Sequence, residues 1–286
     1  MLYLFIRNAH RVEKAMVPIL NDIRHLSAGN PVCLEESGEL AEISASLNKA
    51  GDYLLKKDNT RAEWIRGISH DIRTPLSIVL GYASEIEDTV SLPEATRKQA
   101  GIIRRYSEKL KNLVADLNLT TKLEYSIQPL QKQKIDPVEL ARQVVSEILN
   151  DGISELYELE LSEDNPGKNL SIVGDQALLS RMLNNLIRNC IVHNPDGCTI
   201  QVSVGSCDAM CTFSVADNGY GISEPQLNAL NSGKDISSTQ KQTGETEHGL
   251  GLKIVMQIVK AHQGIIQFAD TIPHGLSIHI SLPMKL

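Results

Sequence analysis

The chain has 286 residues, 42% of them hydrophobic, and a formal net charge of −7 at neutral pH. That length holds two or three domains of roughly 100–200 residues each. The acidic balance argues against a broad nucleic-acid-binding surface but leaves room for a local phosphate pocket. Five cysteines (Cys33, Cys190, Cys198, Cys207 and Cys211) show neither CxxC spacing nor paired histidines, which argues against zinc and suits a reducing compartment.

The opening MLYLFIRNAHR is too short an apolar run for a membrane span, which needs about 20 residues, or for a signal peptide. Residues 2–6 read as the inner end of a span lying upstream. Two helical patterns follow, Val12, Met16, Ile19, Ile23 and Leu26, then Leu40, Ile43, Leu47, Ala50 and Leu54, around the turn-rich SAGNPVCLEESG. Pro18 lies inside the first pattern and predicts a kink there. Their stripes need another copy or each other for burial.

KKDNTRAE interrupts the apolar seam, which resumes at Ile65, Ile68, Ile72, Leu76, Val79, Ala83 and Ile86. After TVSLPEA, where Pro93 is placed to open a helix, a second stripe runs through Ile103, Tyr106, Leu110, Leu113 and Leu117. A single helical hairpin has too little core of its own, so a dimeric four-helix bundle is expected. Within its first helix, ISHDIRTPLS (68–77) crowds His70, Asp71, Thr74 and Pro75 into one and a half turns.

From about Gln133 the texture changes. IDPVELARQVVSEIL reads as a helix capped by Asp136 with Pro137 at its first position. LELSEDNPGKNLSIVGD predicts strand, turn and strand; QALLSRMLNNLIRNCIVHN a helix; TIQVSVGS and CTFSVADN strands; HGLGLKIVMQIVKAHQG a helix; IIQFAD and LSIHISLP strands. Helices and strands mix without strict βαβ alternation, which predicts an α/β sandwich of one sheet and one helical layer.

Three stretches of this last region can carry chemistry. Asn185 and Asn189, four apart on one helix face, offer carboxamides suited to Mg²⁺, although either could instead cap neighbouring backbone. His193 lies one turn further on, as a nucleotide contact or a structural group. In DNGYGI, Asp217 ends a strand and can accept a hydrogen bond from an exocyclic amine such as adenine's, with Gly219 and Gly221 permitting close backbone approach; Asp-Asn-Gly is also an ordinary tight turn. HGLGL puts Gly249, Leu250 and Gly251 at a helix start, where free N–H groups favour phosphate. The polar stretch SEPQLNALNSGKDISSTQKQTGETE between these motifs predicts a lid, from which Lys234 or Lys241 could reach phosphates or simply face solvent.

Taken in order, the Asn helix, DNGYGI, a long lid and HGLGL resemble the ATPase superfamily shared by gyrase, heat-shock, mismatch-repair and histidine-kinase proteins. With ISHDIRTPLS upstream, the resemblance narrows to sensor histidine kinases of two-component systems and covers nearly the whole chain. Pro18, Gly29 and Glu39-Leu40 match the pattern of a HAMP signal-relay domain. The resemblance implies three parts: a HAMP-like segment over 1–60, a dimerisation and phosphotransfer hairpin over 61–128, and an ATP-binding domain over 129–286. It further implies that His70 is the phosphoacceptor, that Asn189 binds Mg²⁺ with Asn185 assisting, and that Asp217 reads adenine. Gly249 and Gly251 match the phosphate-side glycines at the base of the lid. Val192 stands where many relatives carry a lysine or arginine, and Glu247 replaces the first glycine of the last motif.

The implied activity is ATP-dependent phosphorylation of His70. The implied cofactors are ATP and Mg²⁺, and the implied partners are a second copy of the chain and the receiver domain of a response regulator. A neutral imidazole attacks the γ-phosphoryl group while Asp71 fixes the ring tautomer and accepts the proton. In relatives with an acid-x-x-Thr motif the threonine orients a water, so Thr74 implies a phosphatase activity towards the regulator. The expected location is the cytoplasmic side of the membrane. Pro75 removes the hydrogen bond to the Asp71 carbonyl and predicts a bend one turn after His70.

Overall fold

The computed structural model describes residues 41–124, 129–164, 170–232, 248–271 and 274–284, with positions 16, 17, 20, 21, 23, 34 and 35 before them. Pro18, Gly29, Glu39 and Leu40, on which the HAMP expectation rests, lie outside the described residues. So do Lys234, Lys241 and Glu247. The chain divides into two compact units, one up to Val114 and one from Ala115 on. Among the described residues, no helix is long and apolar enough to cross a membrane.

The first unit is a helical hairpin. Helix α1 (Ala41–Asp88) runs unbroken through residues 56–63 and through Pro75, so the polar interruption of the seam does not end the helix. The hydroxyls of Thr60 and Ser77 donate back to the carbonyls of Lys56 and Arg73, which satisfies them without leaving the helix. Helix α2 (Glu94–Glu124) follows a short turn closed by the Leu92 N–H donating to the Thr89 carbonyl (3.1 Å), and Pro93 supplies the first carbonyl of the new helix. Near the turn Arg104 Nε donates to Glu87 Oε2 (2.6 Å) and Arg97 Nε donates to the Glu87 carbonyl (2.9 Å).

In a single chain the hairpin buries mainly small side chains: Ala62, Ser69 and Ala83 on α1, Ala100 and Ser107 on α2. Ile68, Ile72, Val79 and Ile86 on α1, and Ile103, Tyr106 and Leu110 on α2, remain exposed. They lie four or seven apart on α1 and three or four apart on α2, so each set falls along one face of its helix.

The second unit takes in the last turns of α2. There Thr120 and Thr121 are buried, Leu119 and Leu123 pack against the main core, and Asp116 pairs with Arg181. Strand β1 (Gln133–Ile135) leads into α3 (Pro137–Asn150), whose cap is as expected: Asp136 Oδ1 accepts from the Val138 and Glu139 N–H groups at 2.9 and 3.2 Å. After β2 (Tyr157–Glu163) and β3 (Ile172–Gly174) comes α4 (Gln176–His193), then β4 (Cys198–Cys207) and β5 (Met210–Asp217). Helix α5 (Glu224–Asn231) and helix α6 (His248–Ala261) precede the closing strands β6 (Ile265–Asp270) and β7 (Leu276–Pro283).

Five strands form one sheet in the order β2-β4-β5-β7-β6, with β2 and β4 parallel and the other pairs antiparallel. Strand β3 does not pair with β2, as strand-turn-strand would suggest, but with β1 in a separate two-stranded ribbon. Period-two alternation gives the sheet one apolar face. Val204, Phe213, Ile280 and Ile266 lie opposite one another across four strands, and Val202, Val215, Ile278 and Phe268 form the next row. Helices α3, α4 and α6 cover that face with Leu140, Val144, Leu183, Leu186, Ile187, Ile254 and Ile258, all at most 2% exposed. The sandwich expected for this region is the one found.

One expectation needs correction. The polar stretch after DNGYGI is not wholly loop, because residues 224–231 are helical. Ser223 and Gln226 form a capping box, and Pro225 falls in the first turn, where its missing N–H costs nothing. Leu227 and Leu230 then pack into the core.

Candidate functional site

The hairpin presents its chemistry on an open helix surface. His70 and Asp71 keep 77% and 83% of their side-chain surface exposed, and Asp71 Oδ1 lies 3.4 Å from His70 Nδ1. That separation is long for a hydrogen bond but sets the carboxylate on the Nδ1 side, leaving Nε2 clear. Ser69 is buried against the helix, its hydroxyl donating to the Ile65 carbonyl at 2.7 Å. It therefore turns His70 outward. Thr74 is also exposed, its hydroxyl 3.5 Å from the His70 carbonyl, and Pro75 has no N–H to offer Asp71.

The second unit holds the other motifs on three elements. Helix α4 buries Met182, Leu183, Leu186 and Ile187 completely, and this fixes the opposite roll of Asn185 and Asn189. Among the described residues, Asn185 Nδ2 is the one buried side-chain N or O atom without a hydrogen-bond partner. A buried amide hydrogen left unpaired costs about 1–3 kcal/mol, so this position fits a ligand acceptor such as a phosphate oxygen. Asn189 Oδ1 lies 3.5 Å from the position a Cβ on Gly251 would take, so the Asn face of α4 adjoins the first turn of α6. Gly249, Leu250 and Gly251 all fall in that turn, whose leading N–H groups have no intrahelical acceptor. His193 closes α4 at an exposed position.

Asp217 continues the inward-facing series Cys211, Phe213, Val215 of β5, so the alternation that builds the core also aims a carboxylate between sheet and helices. It is 7% exposed, and Oδ1 accepts the Gly219 N–H at 3.0 Å. Its carbonyl accepts the Thr271 hydroxyl at 2.8 Å, while Gly275, at φ 128°, sits so close that a Cβ would fall 1.9 Å from that carbonyl oxygen. Thr271 and Gly275 thus hold Asp217 from the β6–β7 side. Neither was singled out in the sequence; a glycine directly before the last strand, Gly275, is the one local signal there. Gly221 has φ 68° and faces the Gly275 backbone.

Two thiols flank Asp217. Burial, reinforced by the Asp217 charge, pushes Cys190 and Cys198 up from the usual thiol range, and burial raises Cys211 to about 12. All three stay protonated near neutral pH and act as small apolar groups.

Comparison with known proteins places these two arrangements in one family. Residues 60–126 match the His Kinase A (phospho-acceptor) domain, and residues 174–286 match the histidine kinase-, DNA gyrase B-, and HSP90-like ATPases. The chain belongs to the sensor histidine kinases. It is 30% identical over 255 residues to sensor histidine kinase YvrG of Bacillus subtilis (strain 168), covering 83% of this chain and 43% of that protein. Identity to the signal transduction histidine-protein kinase BaeS of Escherichia coli (strain K12) is 27%, covering 86% of this chain and 52% of BaeS. The chain therefore spans about half the length of the curated relatives it matches. Among solved structures it is similar to full-length ShkA in complex with AMPPNP, with a TM-score of 0.62 and 25% identity, covering 77% of this chain and 45% of ShkA.

Proposed function

We propose that this chain is the catalytic portion of an ATP-dependent protein histidine kinase that phosphorylates its own His70 and passes the phosphoryl group to an aspartate of a response regulator. The observation that carries this reading is the exposed His70–Asp71 pair on a chain that also bears an ATPase module with an unpartnered buried amide at Asn185. An imidazole protonated on Nδ1 keeps a lone pair on Nε2, the nitrogen facing away from Asp71. Nε2 attacks the γ-phosphorus of ATP, the bond to the bridging oxygen breaks, and ADP leaves. Asp71 takes the Nδ1 proton as the ring becomes cationic.

In the second unit, Asp217 accepts the exocyclic amine of adenine and the leading N–H groups of α6 face the phosphates. The unpartnered atom of Asn185 is a nitrogen, a donor suited to a phosphate oxygen, whereas the carboxamide oxygen of Asn189 suits a divalent cation. Mg²⁺ held there would neutralise developing charge on the phosphate oxygens. Lys234 and His193 complete the nucleotide contacts in this reading.

The exposed stripes of α1 and α2 make the working form a homodimer, with residues 1–60 relaying a signal into α1 from a membrane-bound sensor. Thr74, on the His70 face, orients a water against the phosphorylated regulator and gives the chain a phosphatase activity as well. Transfer is tested by labelling the chain with γ-labelled ATP, removing nucleotide and adding candidate receiver domains. Label should move to an alkali-labile aspartyl phosphate on one of them. Label that stays on the chain with every receiver of the host would sink the transfer step.

A further inference from the structure

Asn194 follows α4 directly and is 2% exposed. Its Nδ2 donates to the Cys190 carbonyl at 2.8 Å, standing in for the N–H that the helix end lacks, and its Oδ1 accepts the Tyr220 N–H at 2.9 Å. One buried carboxamide therefore ties the end of the helix bearing Asn185 and Asn189 to the loop bearing Asp217. Gly219 lies against it. A Cβ on Gly219 would fall 1.8 Å from Asn194 Oδ1, 2.1 Å from Cγ and 2.5 Å from Nδ2, so the carboxamide fills the space a side chain would need. Gly219 is not among the glycines with positive φ, so its backbone conformation makes no demand for glycine.

We propose that Asn194 is a positioning residue of the nucleotide site, and that Gly219 is glycine in order to admit the Asn194 carboxamide rather than the nucleotide. The inference rests on the histidine kinase reading. Asn194 holds Tyr220 N and packs under Gly219, Gly219 N holds Asp217 Oδ1, and Asp217 meets the adenine amine. The loop is also tied by Asn218, whose N–H donates to the Thr199 carbonyl at 3.3 Å and whose Oδ1 accepts the Thr199 N–H at 2.8 Å, by the Tyr220 hydroxyl on Asp196, and by the Thr271 hydroxyl on the Asp217 carbonyl. The side-chain ties of Asn218 and Tyr220 are solvent-exposed, and none of these ties reaches Gly219. Buried hydrogen bonds fix geometry more firmly than exposed ones. A helix cap with no further role would affect stability and leave nucleotide affinity alone.

The test uses the full chain in four forms: unaltered, Asn194→Ala, Gly219→Ala and the double variant. ADP affinity is measured by titration calorimetry, and the unfolding temperature is measured without nucleotide. Asn194→Ala and Gly219→Ala should each weaken ADP about tenfold, the scale of one lost buried hydrogen bond. The double variant should bind no more weakly than Asn194→Ala, because without the carboxamide the added methyl has room. If Gly219→Ala alone fails to fold, the double variant should fold again. Equal damage from Gly219→Ala in both backgrounds overturns the proposal. So does an Asn194→Ala chain that melts earlier but binds ADP as before. An unaltered chain that binds no ADP brings down the kinase reading, and this inference with it.

Discussion

At the residue scale, Asp217 is the most exposed to test. Asp217→Asn keeps an oxygen for the Gly219 N–H and nearly the same volume, so the fold should persist while the charged acceptor for adenine is lost. ADP affinity should fall roughly ten- to hundredfold, the scale of a hydrogen bond to a charged group. An unchanged dissociation constant by calorimetry would remove Asp217 from the site. His262 carries a different prediction. Its Nδ1 donates to the Ile258 carbonyl at 2.8 Å, and its Nε2 accepts the Asp175 N–H at 3.0 Å, so the folded ring is neutral. Burial lowers its pKa below the usual imidazole value. The unfolded chain takes up a proton that the folded ring refuses, so this stability is present above about pH 6.5 and is lost as pH falls from there towards the lowered folded value. Urea unfolding should show a steeper acid loss in the unaltered chain than in His262→Gln. Parallel pH profiles would contradict the assignment.

At the element scale, Phe213 sits fully buried in the middle of β5, between Val204 and Ile280. Phe213→Ala should cost about 3–5 kcal/mol in denaturant unfolding of the second unit. Helix α1 offers a functional counterpart. It continues through Pro75 although no N–H bonds the Asp71 carbonyl, which leaves a weak point one turn from His70. Pro75→Ala removes that weak point, so the ratio of the two proposed activities, kinase and phosphatase, should shift and stop responding to upstream change. A ratio that still responds as before would dismiss the weak point as a control element.

These elements also show what the sequence reveals and where it stops. Helices with long apolar periods, α3 with its Asp136–Pro137 start, and strands β4 to β7 were legible because period and caps are local signals. The short β1 and the ribbon it makes with β3 were not, since three-residue strands carry no usable alternation and their pairing is decided by tertiary contacts. Helix α5 was hidden because its one turn of apolar contact is embedded in a polar run. His70, Asn185, Asn189 and Asp217 stood out by motif, because each lies in a short local pattern of residue types. Thr271, Gly275 and Asn194 did not, because each acts through a contact with a residue far along the chain.

At the scale of the whole molecule, the hairpin leaves its large apolar side chains to solvent in one chain, and association is the physical remedy. Leu110→Glu should convert a dimer into a monomer in sedimentation experiments and abolish any phosphorylation that requires two copies. A Leu110→Glu chain that sediments as the unaltered one does would refute this interface.

In the proposed mechanism one chain carries both the phosphoryl acceptor and the site that delivers to it. Incubation with γ-labelled ATP and Mg²⁺ tests it most directly. An acid-labile, alkali-stable label should appear on the unaltered chain and none on His70→Gln, with ADP affinity the same in both. Label of the same stability on His70→Gln, or no label on an unaltered chain that binds ATP, would contradict it.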